Sequence, residues 1–61
     1  MKVSELKRLL MKAGCYKSYE GSNHEMWFSP RTGKYFPVAR HDAKEIANGT
    51  CSRILRDAGL K

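Results

Sequence analysis

Residues 15–40 decide the fold: Cys15-Tyr16-Lys17-Ser18-Tyr19-Glu20, Gly21-Ser22-Asn23, His24-Glu25-Met26-Trp27-Phe28-Ser29, Pro30-Arg31-Thr32-Gly33, and Lys34-Tyr35-Phe36-Pro37-Val38-Ala39-Arg40. Three runs carrying aromatic side chains, which favour extended backbone, alternate with two clusters of turn formers. In the first cluster Gly reaches positive φ without steric cost and Asn tolerates it; in the second, Pro and Gly stand at opposite ends. Strands joined by such short turns pair antiparallel with their neighbours, so the stretch predicts a three-stranded meander with strands over 15–20, 24–29 and 34–40. Pro37 cannot donate to a ladder, which places the third strand at an edge or gives it a bulge. Alternation puts His24, Met26 and Phe28 on one side of the middle strand and Glu25, Trp27 and Ser29 on the other. Met26 and Phe28 make theirs the expected core face. Trp27 is then expected to be at least partly exposed.

Outward from the sheet, each flank reads as one helix. Val3, Leu6, Leu10 and Ala13, with Leu9 beside them, recur at helical spacing. Ser4 is the expected N-cap, Glu5 suits the positive end of the dipole, and Gly14 stops the helix. On the other side, residues 41–48 form a polar connector with a capping-box-like Asp42-Ala43-Lys44-Glu45 and Ile46 as its anchor. Thr50 is the expected N-cap of the last helix, whose Cys51, Ile54, Leu55 and Ala58 make a single stripe. Gly59 ends it, and Leu60 folds back onto Leu55. Each helix has one apolar stripe, so both should cover the same face of the sheet. The expectation is a single α+β domain over residues 1–61, ordered α-β-β-β-α as in double-stranded-RNA-binding domains. Leu6, Leu10, Met26, Phe28, Val38, Ile54 and Leu55 are the expected core.

Sixty-one residues with 41% hydrophobic content suit one folded domain, which at this size buries only about 60% of the surface its unfolded chain exposes. Neither an apolar run of about 18 residues nor a signal-peptide pattern occurs, so no membrane is implied and the cytoplasm is the expected location. Cys15 and Cys51 lack the spacing of metal ligands or of a redox pair. They read as small core residues, with no metal and no cofactor. Twelve Lys and Arg against six Asp and Glu give a net charge of +6. Polyanions, above all nucleic acid, are the natural partners.

His24 carries the chemistry this sequence offers. It stands where a turn enters a strand, held by a rigid element with its edge open, and imidazole trades protons near neutral pH. RNA is cut without a metal when a base takes the proton of a 2′-OH that attacks the adjacent phosphorus, an acid protonates the leaving 5′-oxygen, and cations offset charge on the phosphoryl oxygens. Gly21 and Ser22 let backbone approach a phosphate, Ser22 and Asn23 add small hydrogen-bonding groups, and Lys17, Lys34 and Arg40 are cations within strand reach. His41, the second imidazole, is expected to orient the connector. An exposed Trp27 would stack on a base or, ranked slightly higher, meet a protein partner.

Gly21-Ser22-Asn23-His24 ahead of an apolar strand, in a basic chain of this length, resembles the active-site motif of the HicA family of mRNA-interferase toxins. Val38-Ala39-Arg40-His41 resembles the end of that family's third strand, and Gly49 to Leu60 its last helix. With Ser4-Glu5-Leu6 the resemblance spans nearly the whole chain. It implies a toxin of a type II toxin–antitoxin system that cleaves mRNA with a single essential histidine, here His24. It also implies a HicB-like antitoxin that covers the active site and represses the shared operon, so that DNA is met only through the antitoxin. The chain departs from the pattern at Asn23, where the family often has a second histidine, and at Ala39, where proline is common. Substrate contacts are where those departures bear. The alternatives are a non-catalytic RNA-binding module of double-stranded-RNA-binding type and a small regulatory protein without RNA activity.

Overall fold

Five elements, α1 (Val3–Lys12), β1 (Tyr16–Glu20), β2 (Glu25–Ser29), β3 (Lys34–Val38) and α2 (Asn48–Ala58), follow one another in the computed structural model, which describes residues 1–61. The strands form one antiparallel sheet in the order β1-β2-β3. This is the α-β-β-β-α arrangement expected from the turn chemistry. Pro37 lies on the edge strand β3 opposite Met26, and β1 carries an irregularity between Lys17 and Tyr19.

The two faces of the sheet are the reverse of the expected ones. Trp27 and Ser29 are buried, as are Phe36 and Val38 on β3, while Met26 and Phe28 are only half-buried. Met26 and Phe28 were the expected core face, which left Glu25, Trp27 and Ser29 on the other, but the two polar side chains of that set find partners inside. The Ser29 hydroxyl donates to the Ala58 carbonyl at 2.8 Å, satisfying an acceptor in the last turn of α2. Glu25 accepts from Trp27 Nε1 at 3.0 Å and pairs with Lys7 Nζ at 3.2 Å. Hydrogen-bonded polar groups can be buried at little net cost, and Trp27 contributes the larger apolar surface.

Val3, Leu6 and Leu10 of α1 join Cys51, Ile54 and Ala58 of α2, together with Cys15, Trp27, Phe36 and Val38, in one core cluster. Leu6, Leu10, Val38, Ile54 and both cysteines are thus buried as expected, whereas Leu55 only packs against the edge of the cluster. No buried side-chain nitrogen or oxygen lacks a partner. No helix is long and apolar enough to cross a membrane.

The helix starts differ from the expected caps. Lys2, not Ser4, is the N-cap of α1; the Glu5 carboxylate accepts from the Lys2 backbone N–H at 3.0 Å. The free N–H groups of Val3 and Ser4 donate to the carbonyls of Lys44 and Asp42 at 2.9 and 3.0 Å. The connector, rather than a side chain, therefore satisfies this helix end. α2 starts at Asn48 after Ala47, which leaves Thr50 inside the first turn. Its far end is as expected: Gly59 is left-handed at φ 86°, and the N–H groups of Gly59 and Leu60 donate to Arg56 and Leu55, the two bonds of a Schellman motif.

Trp27→Ala is expected to cost about 3–5 kcal/mol, and Phe28→Ala less because its ring is only partly buried. Urea unfolding followed by circular dichroism checks the order; a costlier Phe28→Ala would contradict the facing of the sheet.

Candidate active site

The β1–β2 hairpin presents His24 through a four-residue connection, Gly21 to His24, closed by the Gly21 N–H donating to the His24 carbonyl at 2.7 Å. Gly21 does not have positive φ; the positive-φ glycines are Gly14, Gly33 and Gly59. It is required by proximity instead. A Cβ at position 21 would sit 2.8 Å from the His24 carbonyl oxygen, closer than real Cβ atoms come. Ser22, Asn23 and the His24 side chain are exposed.

Arg40 ties this turn down from β3's far end. Its guanidinium donates to the Gly21 carbonyl and pairs through Nε with Glu20 Oε1 at 2.9 Å. Lys17 pairs with the same Glu20 carboxylate. These contacts, the hydrogen bond from Lys17 foremost, hold the Glu20 carboxyl below its usual pKa. Two of the three cations singled out in the sequence are thus engaged with one carboxylate beside the turn. The third, Lys34, pairs opposite Ser29 at the other end of the sheet, about five residues, or roughly 17 Å, from His24.

A cleft of about 280 Å³ opens beside His24. Pro37 and Ala39 floor it from β3 and its extension, Lys44, Glu45 and Ile46 come from the connector, and Thr50 and Ile54 come from α2. Lys44 is the cation that the sequence did not single out. It has no carboxylate partner among the ion pairs of the molecule. Only the connector's course brings it to His24, and the capping-box-like Asp42-Ala43-Lys44-Glu45 opens no helix there but a turn. Glu45 Oε2 accepts from the Met1 amino group at 2.7 Å, a bond that holds its carboxyl below the usual range. His41 is exposed and does not line the cleft; its backbone carbonyl, not its imidazole, closes a turn of the connector by accepting from the Lys44 N–H at 3.0 Å.

Behind the cleft, Lys7 Nζ reaches Asp42 Oδ1 at 2.9 Å as well as Glu25 Oε1 at 3.2 Å. Its two partners each follow a histidine in sequence, Glu25 after His24 and Asp42 after His41. Burial opposes the Lys7 charge, yet the hydrogen bonds to Asp42 and Glu25 outweigh it and raise the pKa above its ordinary value. No group of three or more His, Cys, Asp or Glu side chains is arranged to hold a metal ion.

Residues 3–60 match the family model described as the HicA toxin of bacterial toxin–antitoxin. Comparison with curated proteins and with solved structures gave no match.

Two outcomes check this geometry. Gly21→Ala should move the backbone amide and imidazole signals of His24 in NMR spectra while leaving the Trp27 indole signal in place, because the clash is confined to the turn. Lys7 should contribute stability fully below pH 10.5, its ordinary value, and lose that contribution as pH rises through the higher folded value. Alkaline unfolding curves of Lys7→Gln, which lacks the titration, should be flatter than those of the parent chain in that window.

Proposed function

The chain belongs to the HicA toxin family of bacterial toxin–antitoxin systems, and from that premise we propose that it is a metal-independent endoribonuclease acting on mRNA, with His24 as the residue that moves the proton. The observation that carries this reading is the placement of His24: exposed, at the end of a rigid strand, on the rim of a cleft that also holds the unpaired Lys44. The ribose 2′-oxygen forms a bond to phosphorus while the bond from phosphorus to the 5′-oxygen breaks. The His24 imidazole takes the 2′-hydroxyl proton, and the 5′-oxygen leaves as an alcohol with a proton drawn from water. Lys44 offsets charge on the phosphoryl oxygens, and the Gly21-Ser22-Asn23 turn offers small groups to the flanking backbone.

Arg40 and Lys17 act in this reading through Glu20, by holding the turn. Lys34 contacts RNA away from the scissile bond. A HicB-like antitoxin would neutralise the toxin by covering the His24 cleft, and the chain would meet DNA only through that partner. The cytoplasm, where mRNA and antitoxin are found together, is the site of action.

His24→Ala should abolish growth inhibition and lower single-turnover cleavage of a defined RNA by about 10²–10⁴, with the melting curve nearly unchanged because truncating an exposed imidazole leaves little cavity. His41→Ala should lose far less. Cleavage should persist in EDTA and leave a 2′,3′-cyclic phosphate. A folded His24→Ala protein that cuts at the parent rate removes the assignment.

A further inference from the structure

The reversal of the sheet leaves aromatic rings in solvent that do not line the cleft. Register pairs Tyr16 with Phe28 and Phe28 with Tyr35, so one rung of three rings crosses all three strands. Ring centroids are 5.8 Å apart for Tyr16 and Phe28 and 4.8 Å for Phe28 and Tyr35. The next rung is Tyr19, Met26 and Pro37, and Tyr19 lies 6.2 Å from Tyr35. Tyr16, Tyr19 and Tyr35 remain 53%, 53% and 55% exposed. His24, the residue just before β2, continues the parity of Met26 and Phe28. Successive rungs are about 6.6 Å apart, so the aromatic face climbs step by step to the imidazole.

The charges around this face suit a polyanion. Both strand carboxylates, Glu20 and Glu25, are paired with each other in register and fall on the parity of Val38, which faces the helices. Glu5 is spent on the Lys2 N–H, Glu20 on Lys17 and Arg40, Glu25 and Asp42 on Lys7, and Glu45 on the Met1 amino group. Lys34, exposed at the start of β3 on the parity of Ser29, and Lys44, which lines the cleft with His24, have no carboxylate partner and bring positive charge to opposite ends of the sheet.

We infer that the outer face of the sheet binds single-stranded RNA by stacking bases on Phe28, Tyr35 and Tyr19, delivering the strand to the His24 cleft. The inference rests on the nuclease reading for its direction, toward His24, but not for the stacking itself. Every base offers a π-face, so such a surface binds without strong sequence preference. The rings, tilted at 49–55° with centroids 4.8–6.2 Å apart, already touch one another, so bases stack on their solvent-exposed surfaces rather than between them.

The test uses the full chain carrying His24→Ala, so that RNA is bound without being cut, and measures the affinity of a ten-residue oligouridine and of an abasic oligomer of equal length. Tyr35→Ala and Tyr19→Ala should each weaken oligouridine binding at least about fivefold and leave abasic binding unchanged. Tyr35→Phe and Tyr19→Phe, which keep the ring, should restore it. Circular dichroism should show all variants folded, since these side chains are half in solvent. Equal affinity of parent and alanine variants for oligouridine overturns the inference, as does parent binding of the abasic oligomer as tight as that of oligouridine. Alanine variants that keep full RNA affinity but escape neutralisation by the antitoxin overturn it in favour of a protein occupant. Cleavage by the chain with His24 intact, read on the same RNA, separates the two ideas. Cutting that is insensitive to the tyrosines removes only the stacking surface, and ring-dependent binding without cutting removes only the nuclease.

Discussion

The junction of Lys7 with Glu25 and Asp42 is the contact on which the functional end of the molecule depends. It joins α1 to the start of β2 and to the first turn of the connector. The side chains of Lys7 and Glu25 are only 15% and 14% exposed, so neither charge could be left alone cheaply. Removing one partner of a well-buried pair costs about 3–5 kcal/mol, and the remaining exposure here lowers that figure. The same carboxylate holds the Trp27 indole N–H, which fixes the largest side chain of the core. With Asp42 held by Lys7 and the carbonyls of Asp42 and Lys44 capping α1, the connector must run along the end of the sheet. That course makes the wall of the cleft opposite His24.

The elements were legible in the sequence because each was written redundantly. The α2 stripe Cys51, Ile54, Leu55 and Ala58 agrees with the Gly59 stop, and the strand runs agree with the turn residues between them. The facing of the sheet was not legible, because alternation gives two sets and only partners decide between them. Glu25 and Ser29 fell in the set opposite the expected core face, yet one finds Lys7 and Trp27 and the other finds the Ala58 carbonyl. Both partners are distant in sequence. The cost of burying a polar group vanishes only when such a partner arrives, and local composition cannot announce it.

The candidate site divides in the same way. The Gly21-Ser22-Asn23-His24 turn was visible as a local pattern, although Gly21 is needed for its approach to the His24 carbonyl rather than for positive φ. Lys17 and Arg40 were visible as cations near that turn, but not as partners of a single Glu20. Lys44 was invisible because its proximity to His24 follows from the connector's path, which is set by contacts of Asp42 and Glu45 with Lys7 and the Met1 amino group, all distant in sequence.

An aromatic face left in solvent on a three-stranded sheet carries a hazard, since both edge strands offer unpaired backbone to another chain. The two edges are blunted by different means. β1 is disturbed between Lys17 and Tyr19, which increases local twist and spoils a flat template. β3 has Pro37, which lacks an N–H to donate. The β1 irregularity also sets the rungs, since the extra residue between Lys17 and Tyr19 brings Tyr19 opposite Met26, onto the face of Tyr16, Phe28 and Tyr35. Backbone pairing is thereby discouraged while the rings stay available. The helices bury the opposite face and supply the stability of so small a domain. The outer face can therefore be given to recognition without drawing on the core.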